Sequence, residues 1–223
     1  MFTKATIQFL DGLTSHNEKA WFDAHRAEYD DHVVEPARAF VSQLGEKLRK
    51  VAKTIQYEPK IGGSIMRINR DIRFSKDKSP YKTHLDMFFW QGGEKGWDRP
   101  GFFFRLRPET LLLGTGMHHF EKEPLERFRK AVLDEKTGSA LSRAIAQLNK
   151  AGYEVGGSYY KKVPRGLPAD HPRAELLKHD GLHCGVENPI PKELFTPRFA
   201  DYCFERFKAM TPLYDWLTNA MSR

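Results

Sequence analysis

Three strand-like segments lie close together in the middle of this 223-residue chain, and they constrain its fold more than any other feature. They occupy residues 85–90, 102–107 and 110–117, and a polar loop and the turn Pro108-Glu109 separate them. Strands joined by short connections pair antiparallel, so these segments predict an antiparallel meander. In the second segment Phe104 and Leu106 alternate with arginines, which predicts one buried face and one solvent-facing side.

Helical patterns stand before and after this region. Apolar residues recur at helical spacing in residues 3–13, 17–29, 36–51, 124–133, 138–150 and 197–217. Asn17 is predicted to cap the second helix and Pro36 to lie in the first turn of the third. Further extended pieces are predicted at residues 153–163 and 181–190. Because helices and strands are segregated, the sequence predicts an α+β fold with an antiparallel or mixed central sheet.

The length favours one sizeable domain, and a hydrophobic content of 40% supports a packed core. We expect a helical N-terminal block at about 1–55, a sheet-containing core at about 60–190 and C-terminal helices at about 191–223. No apolar stretch approaches the roughly 20 residues of a membrane span, and the chain begins without an export-signal pattern. Cys184 and Cys203 form no C-x-x-C motif and are expected to be reduced thiols. We therefore expect a cytoplasmic protein with no membrane partner and no cofactor.

Positive charge is concentrated between the helical block and the first strand. Residues 60–82 hold seven basic and two acidic side chains, a surplus of five out of the chain's net charge of +7. Guanidinium groups suit phosphate and carboxylate oxygens because they donate two parallel hydrogen bonds. The predicted anion-binding residues here are Arg67, Asn69, Arg70, Arg73, Lys76, Lys78 and Lys82.

Two acids and one tyrosine stand among these cations. Asp71 and Asp77 either orient the arginines or act as a base or metal ligand, and both interpretations stay open. Tyr81 offers a ring for stacking or a hydroxyl for hydrogen bonding. A second basic patch contains Arg165 and precedes His171. If it folds against the first, Arg165 joins the anion site and His171 becomes a titratable member; the alternative is a capped helix start. The candidate catalytic residues are thus Asp71, Asp77, Tyr81 and His171.

Two groups of histidines are candidate metal ligands. His118 and His119 are adjacent in an extended segment, so their side chains point to opposite faces. His25 and His32 would lie two helical turns apart, about 10 Å, which is too far to share a metal without other ligands. We therefore predict no metal site.

The string R-I-N-R-D-I-R-F-S-K-D-K-S-P-Y-K at residues 67–82 resembles the hallmark of a bacterial and fungal family catalogued as domain of unknown function 2461. F-L-x-x-L with N-x-x-x-W-F at residues 9–22, and V-P-R-G-L-P-A-D-H-P at residues 163–172, resemble other blocks of that family. The resemblance therefore spans almost the whole chain, and Met117-His118-His119-Phe120 departs from it. It implies that the charged string matters for function and leaves the chemistry open.

Three functional hypotheses follow. The first is a site for a phosphorylated or carboxylated small molecule, in a binding protein or an enzyme, with Arg67, Arg70 and Arg73 converging in a concave pocket. The second is a nucleic-acid-binding protein, with basic charge beside exposed aromatic rings. The rings proposed for it are Tyr81, Trp90 and Trp97. The third is structural, with buried Arg–Asp pairs locking helices to the sheet. We favour the first, and the oligomeric state stays open.

Overall fold

The computed structural model describes residues 1–93 and 99–221, and it confirms the α+β class. The strands are β1 Ile55–Gln56, β2 Leu85–Gln91, β3 Gly101–Leu106, β4 Thr110–Met117, β5 Glu154–Ser158 and β6 His179–Pro189. They form one antiparallel sheet in the order β1-β2-β3-β4-β6-β5. The predicted meander is β2, β3 and β4, which are neighbours in that order. Phe104 and Leu106 are buried and Arg105 is partly exposed, as their alternation predicts.

Seven α-helices are present in the part of the chain that the structure describes. They are α1 Lys4–Ser15, α2 Lys19–Ala24, α3 Arg26–Tyr29, α4 Glu35–Leu48, α5 Lys122–Leu133, α6 Glu135–Lys150 and α7 Phe199–Met221. A π-helical turn at Asp30–Val34 joins α3 to α4, and 3₁₀ turns lie at Ala174–Lys178 and Lys192–Phe195. None of these helices is both long enough and apolar enough to cross a bilayer.

One detail of the helical prediction is wrong. Asn17 does not cap α2, because the N-cap is Glu18 and no side chain caps that helix end. Asn17 instead bonds to a distant part of the chain, described below. Pro36 lies in the first turn of α4 as predicted.

The contacts of the chain divide it into two compact units. The first unit comprises Met1–Phe89, Phe103–Leu113 and Glu187–Arg206. Its core is aromatic: the ring of Phe40 from α4 lies 5.2 Å from that of Phe104 in β3 and 5.0 Å from that of Phe199 in α7, measured between centroids. Pairs at such distances add to the stabilisation from burial, so these rings fix α4 against the sheet.

The second unit comprises Trp90–Phe102, Gly114–Val186 and Phe207–Arg223. The ring of Phe128 in α5 stacks on Phe120 at 4.8 Å and meets Trp216 of α7 at 5.9 Å. Gly116 of β4 has φ +131, and a Cβ there would lie 2.3 Å from the carbonyl oxygen of Leu182. Only glycine suits that close approach of two backbones. The predicted single-domain organisation stays a prediction.

Candidate functional site

Residues 67–82, which we call the basic loop, form a hairpin-like excursion within the first unit. Its base is closed by backbone hydrogen bonds, since the N–H of Arg70 donates to the carbonyl of Pro80 at 2.8 Å and that of Lys82 to Ile68 at 2.8 Å. Asn69 and Tyr81 form an antiparallel bridge at the same place. The loop therefore leaves the folded unit at two adjacent positions.

The N-terminal helices hold this base. The Asn17 side-chain amide donates to the backbone carbonyl of Tyr81 at 3.0 Å, and the backbone N–H of Tyr81 donates back to Asn17 Oδ1 at 3.0 Å. The ring of Tyr81 stacks on Phe22 with centroids 4.3 Å apart, and only 6% of Tyr81 is exposed. Trp90 is buried as well. The prediction that Tyr81 and Trp90 are exposed is therefore wrong, because both rings belong to the apolar interior; Trp97 lies outside the described residues.

Within the loop, Arg70 is held by three acceptors. Its guanidinium donates to the Asp77 carboxylate, to the carbonyl of Ser79 at 3.2 Å and to Ser75 Oγ at 3.4 Å. The Ser79 hydroxyl and backbone N–H also donate to Asp77. These bonds from Ser79, followed by the one from Arg70, lower the pKa of Asp77 to about 2. Asp77 is thus an ionised acceptor at neutral pH, which suits an orienting role better than proton transfer.

Asp71 and Arg73 form a second local pair. The Arg73 guanidinium donates to Asp71 Oδ1 at 2.9 Å and to Oδ2 at 2.6 Å, in the bidentate geometry of strong pairs. The side-chain hydrogen bond from Arg73 lowers the pKa of Asp71. Arg73 is 76% exposed by side chain, and its guanidinium carbon lies 5.8 Å from the ring centroid of Phe74, a residue that is 95% exposed.

The remaining polar residues of the loop differ in their contacts. Lys78 donates its ammonium to the carbonyl of Ile72 at 2.9 Å. Arg67, Asn69 and Lys76 are exposed, and their side chains form no hydrogen bond or ion pair with any residue that the structure describes. Arg70 and Arg73 are engaged by different carboxylates, so within the described residues the loop has cations without a carboxylate in ion-pair contact at Arg67, Lys76 and Lys78. Arg67 still acts on Asp71 at longer range, since it contributes, after the hydrogen bonds from Arg73, to the lowered pKa of that carboxyl. Convergence of its three arginines in a pocket stays a prediction.

Sequence reasoning missed a cluster at the foot of the loop. Asp86 of β2 accepts hydrogen bonds from Arg105 Nε at 2.6 Å and Nη2 at 3.2 Å and from Lys82 Nζ at 3.3 Å, and His84 Nε2 lies 3.2 Å from it. We call these four residues the Asp86 cluster. Only 15% of the Asp86 side chain is exposed. The signal was present as K-x-H-x-D at residues 82–86, because alternate residues of an extended segment share one face.

The environment of Asp86 has two opposing effects on its ionisation. Burial by itself would raise the pKa of Asp86, but the neighbouring His84 and Arg105 side chains outweigh burial, and the pKa lies well below its usual range. The carboxylate is therefore charged at all physiological pH values. It balances one of the two permanent cations around it, Lys82 and Arg105.

The other predicted site residues lie in the second unit. Arg165 is exposed, and His171 Nδ1 accepts a hydrogen bond from the backbone N–H of Arg173 at 3.1 Å, which is a local turn contact. Their approach to the basic loop stays a prediction. Across residues 1–93 and 99–221, no group of three or more His, Cys, Asp or Glu side chains is arranged to hold a metal ion.

Comparison with known families gives one result. A family model described as "Conserved hypothetical protein (DUF2461)" matches residues 5–216. The matched range contains the basic loop and the Asp86 cluster. A search of curated proteins finds no match to this chain.

Proposed function

Because the chain belongs to the family of conserved hypothetical proteins described as DUF2461, and that description specifies no activity, we propose its function from the geometry of the basic loop. The loop binds an anionic small molecule that carries a phosphate or carboxylate group. The observation that carries the proposal is that Arg67, Lys76 and Lys78 have no carboxylate partner among the described residues, whereas Arg70 and Arg73 are paired with Asp77 and Asp71.

Preorganisation supports this function. Arg70 is fixed by Asp77, Ser75 and Ser79, so the loop does not have to order that long side chain when a ligand arrives. Immobilising a flexible side chain at an interface costs about 0.5–1.5 kcal/mol, and a loop that is already fixed avoids part of that cost. Asp71 and Asp77 then act as supports that hold arginines in place.

The two alternatives fit the same observations less well. Nucleic-acid binding without sequence preference uses aromatic platforms on which bases stack. Tyr81 and Trp90 are buried, which leaves Phe74 as the exposed ring of the loop. A structural role for the Arg–Asp pairs calls for burial, whereas Arg73 and Asp77 are mostly exposed and solvent screens such pairs.

Ligand binding can be tested by calorimetric titration of inorganic phosphate and of citrate into the full chain at low ionic strength. The double variant Arg67→Gln/Lys76→Gln should weaken binding at least about tenfold, because it removes the two cations whose side chains form no hydrogen bond with the described residues. The matched control is Arg143→Gln/Lys150→Gln, which removes the same charge from exposed positions of α6 and should leave the affinity unchanged.

Two results would contradict the proposal. Equal weakening in the loop variant and in the control would mean that only net charge matters. Binding of neither anion, together with retardation of a single-stranded oligonucleotide that the loop variant abolishes, would favour the nucleic-acid alternative.

A further inference from the structure

We propose that a surface of the second unit binds single-stranded nucleic acid, with a base stacked on the ring of Tyr159 and phosphates paired with the cations beside it. We call it the Tyr159 surface, and its members are Arg129, Tyr159, Tyr160, Lys161, Lys162 and Arg165. All of them belong to the second unit. This inference goes beyond the function proposed for the basic loop and does not depend on it.

Two neighbouring tyrosine rings are exposed where the chain leaves β5. Tyr159 is 70% exposed and Tyr160 is 37% exposed. Their ring centroids lie 5.1 Å apart, and the ring planes are perpendicular. Most other large apolar and aromatic side chains in the described part of the chain are buried. Tyrosine rings are enriched at binding interfaces, so an adjacent exposed pair indicates a surface that a partner covers.

The backbone fixes the position of both rings. The N–H groups of Tyr159 and Tyr160 donate to the same carbonyl, that of Lys178, at 3.0 Å and 2.9 Å. Lys178 immediately precedes β6, which pairs antiparallel with β5 at the edge of the sheet. The Lys178 ammonium is paired with Glu175 at 2.6 Å and adds no unpaired charge. A base that stacks on Tyr159 therefore meets a chain that is already ordered.

The segment that follows the rings is basic. Residues 155–169 contain Lys161, Lys162 and Arg165 and no acidic residue. All three cations are exposed, and their side chains form no hydrogen bond or ion pair with the described residues. The flanking acids Glu154 and Asp170 form no ion pair with them either. These cations are therefore available to phosphate oxygens.

Arg129 of α5 joins the positive charge to the rings. Its guanidinium carbon lies 5.6 Å from the ring centroid of Tyr160. Its Nε is buried and has no hydrogen-bond partner among the described residues, and no described carboxylate forms an ion pair with it. Arg129 thus places an unneutralised charge against an aromatic ring. Sites for single strands combine base stacking with such contacts between Arg and aromatic rings.

The combination of a ring and cations favours a single strand over other polyanions. Each nucleotide of a single strand presents both a base face and a phosphate. An acidic peptide is attracted by the same charge but brings no base to the ring of Tyr159, and a duplex has its base faces covered by neighbouring pairs. Arg165 is five residues from Tyr160, at most about 18 Å along the chain, so one short strand reaches both.

Stacking can be tested by fluorescence anisotropy of the full chain with a labelled strand of about twelve thymidines, since such sites cover roughly 4–16 nucleotides. Tyr159→Ala should weaken binding about tenfold because it removes the stacking ring. Tyr159→Phe keeps the ring and should bind like wild type. Phe74→Ala removes the 95% exposed ring of the basic loop and should leave the affinity unchanged. A strand of abasic sites should bind Tyr159→Ala and wild type equally.

The cations can be tested through the salt dependence of binding. The logarithm of the binding constant falls with that of salt concentration by about 0.7 for each phosphate that a protein neutralises on a single strand. Lys161→Gln/Lys162→Gln should therefore reduce this slope by about 1.4, whereas Tyr159→Ala should leave it unchanged. The matched control is Lys50→Gln/Lys53→Gln, at exposed positions after α4, which should keep the wild-type slope.

Three results would overturn the proposal. If wild type binds the abasic strand or a polyglutamate peptide as tightly as the thymidine strand, stacking plays no part. If Arg67→Gln/Lys76→Gln abolishes binding and Tyr159→Ala does not weaken it, the strand binds the basic loop instead. Absence of strand binding at low salt refutes the Tyr159 surface alone, because the basic-loop site is measured separately with phosphate and citrate.

Discussion

The side chain of Asn17 and the backbone of Tyr81 exchange two hydrogen bonds across 64 residues of sequence, both 3.0 Å between heavy atoms. A side-chain amide carries one donor and one acceptor in nearly the same arrangement as a peptide group. Asn17 therefore occupies the place of a neighbouring strand at the edge where the basic loop rejoins the fold. The segment before α2 consequently fixes the loop's closing position.

Replacing Asn17 should destabilise the protein through that contact. Asn17→Ala removes both hydrogen bonds and leaves the partly buried backbone N–H and carbonyl of Tyr81 without a protein partner. This loss should lower the free energy of unfolding by about 1–3 kcal/mol. Urea denaturation followed by circular dichroism measures the change. Asn149→Ala, at an exposed position of α6, is the control and should change stability by less than about 0.5 kcal/mol. Equal losses in the two variants would show that the contact contributes nothing.

Replacing Arg70 should loosen the loop and leave the rest of the protein intact. Arg70→Gln removes the contact with Asp77 that joins the two sides of the loop. Limited trypsin digestion should then cleave after Arg73, Lys76 or Lys78 about fivefold faster, because local opening becomes easier, while the melting temperature stays nearly constant. Arg143→Gln should leave the cleavage rate unchanged. A large drop in melting temperature instead would favour the structural interpretation of the Arg–Asp pairs.

Removing the central carboxylate of the Asp86 cluster should reduce stability in a pH-dependent way. Asp86→Asn leaves Lys82 and Arg105 without their anion and should lower the free energy of unfolding by about 1.5–3 kcal/mol at pH 7. The folded-state pKa of Asp86 lies below its ordinary value of about 3.9, so its contribution is complete above that value and is lost as pH falls further.

The check is urea denaturation of wild type and Asp86→Asn at pH 7 and pH 3. Their difference should be largest at pH 7 and smaller at pH 3. Asp11→Asn, at an exposed position of α1, should differ little from wild type at either pH. A difference for Asp86→Asn that grows on acidification would contradict the assigned direction.

Mild acid should destabilise the second unit through its histidines. Burial lowers the pKa of His179, and burial followed by the neighbouring His118 and His179 lowers that of His183. The unfolded chain then binds protons more readily than the folded chain, so stability is complete above the ordinary value of about 6.5 and falls as pH drops below it. The urea midpoint should decrease between pH 7.5 and pH 5.5. In His179→Gln the urea midpoint should depend less on pH than in wild type. In His16→Gln, at an exposed position, the dependence should match wild type. The same pH dependence in wild type and both variants would refute the assignment to His179.

The sequence predicted much of the fold because its signals there are local. The alternation around Phe104 and Leu106 and the helical spacing of apolar residues both arise from the repeat of a single element. The prediction for Asn17 is wrong because a residue of its type before a helix is usually a cap, whereas its actual partner, Tyr81, is distant in sequence. A tertiary contact overrode the local preference.

The candidate site can be read from the sequence only in part, because the pairing of side chains is not a local signal. Charge density located the basic loop, but it did not reveal that Arg70 pairs with Asp77 and Arg73 with Asp71, since charge counts carry no direction. The charge count of residues 60–82 also leaves out Arg105, which lies in β3. Arg105 reaches the Asp86 cluster only because β3 pairs with β2. His84 can be predicted to join the cluster from its alternation with Lys82 and Asp86, because alternate residues of an extended segment share one face.

The hydrogen bonds of the basic loop stay within the loop, and this limits which substitutions affect the rest of the protein. The side-chain hydrogen bonds of residues 70–79, within the described part of the chain, all end on other residues of the same segment. Substitutions that share no partner have additive effects on free energy. A change at Arg67 or Lys76 should therefore leave the stability of the core unchanged. Under the function we propose, recognition and folding are then thermodynamically separable, because the cations that would meet the anion form none of the contacts that hold the loop.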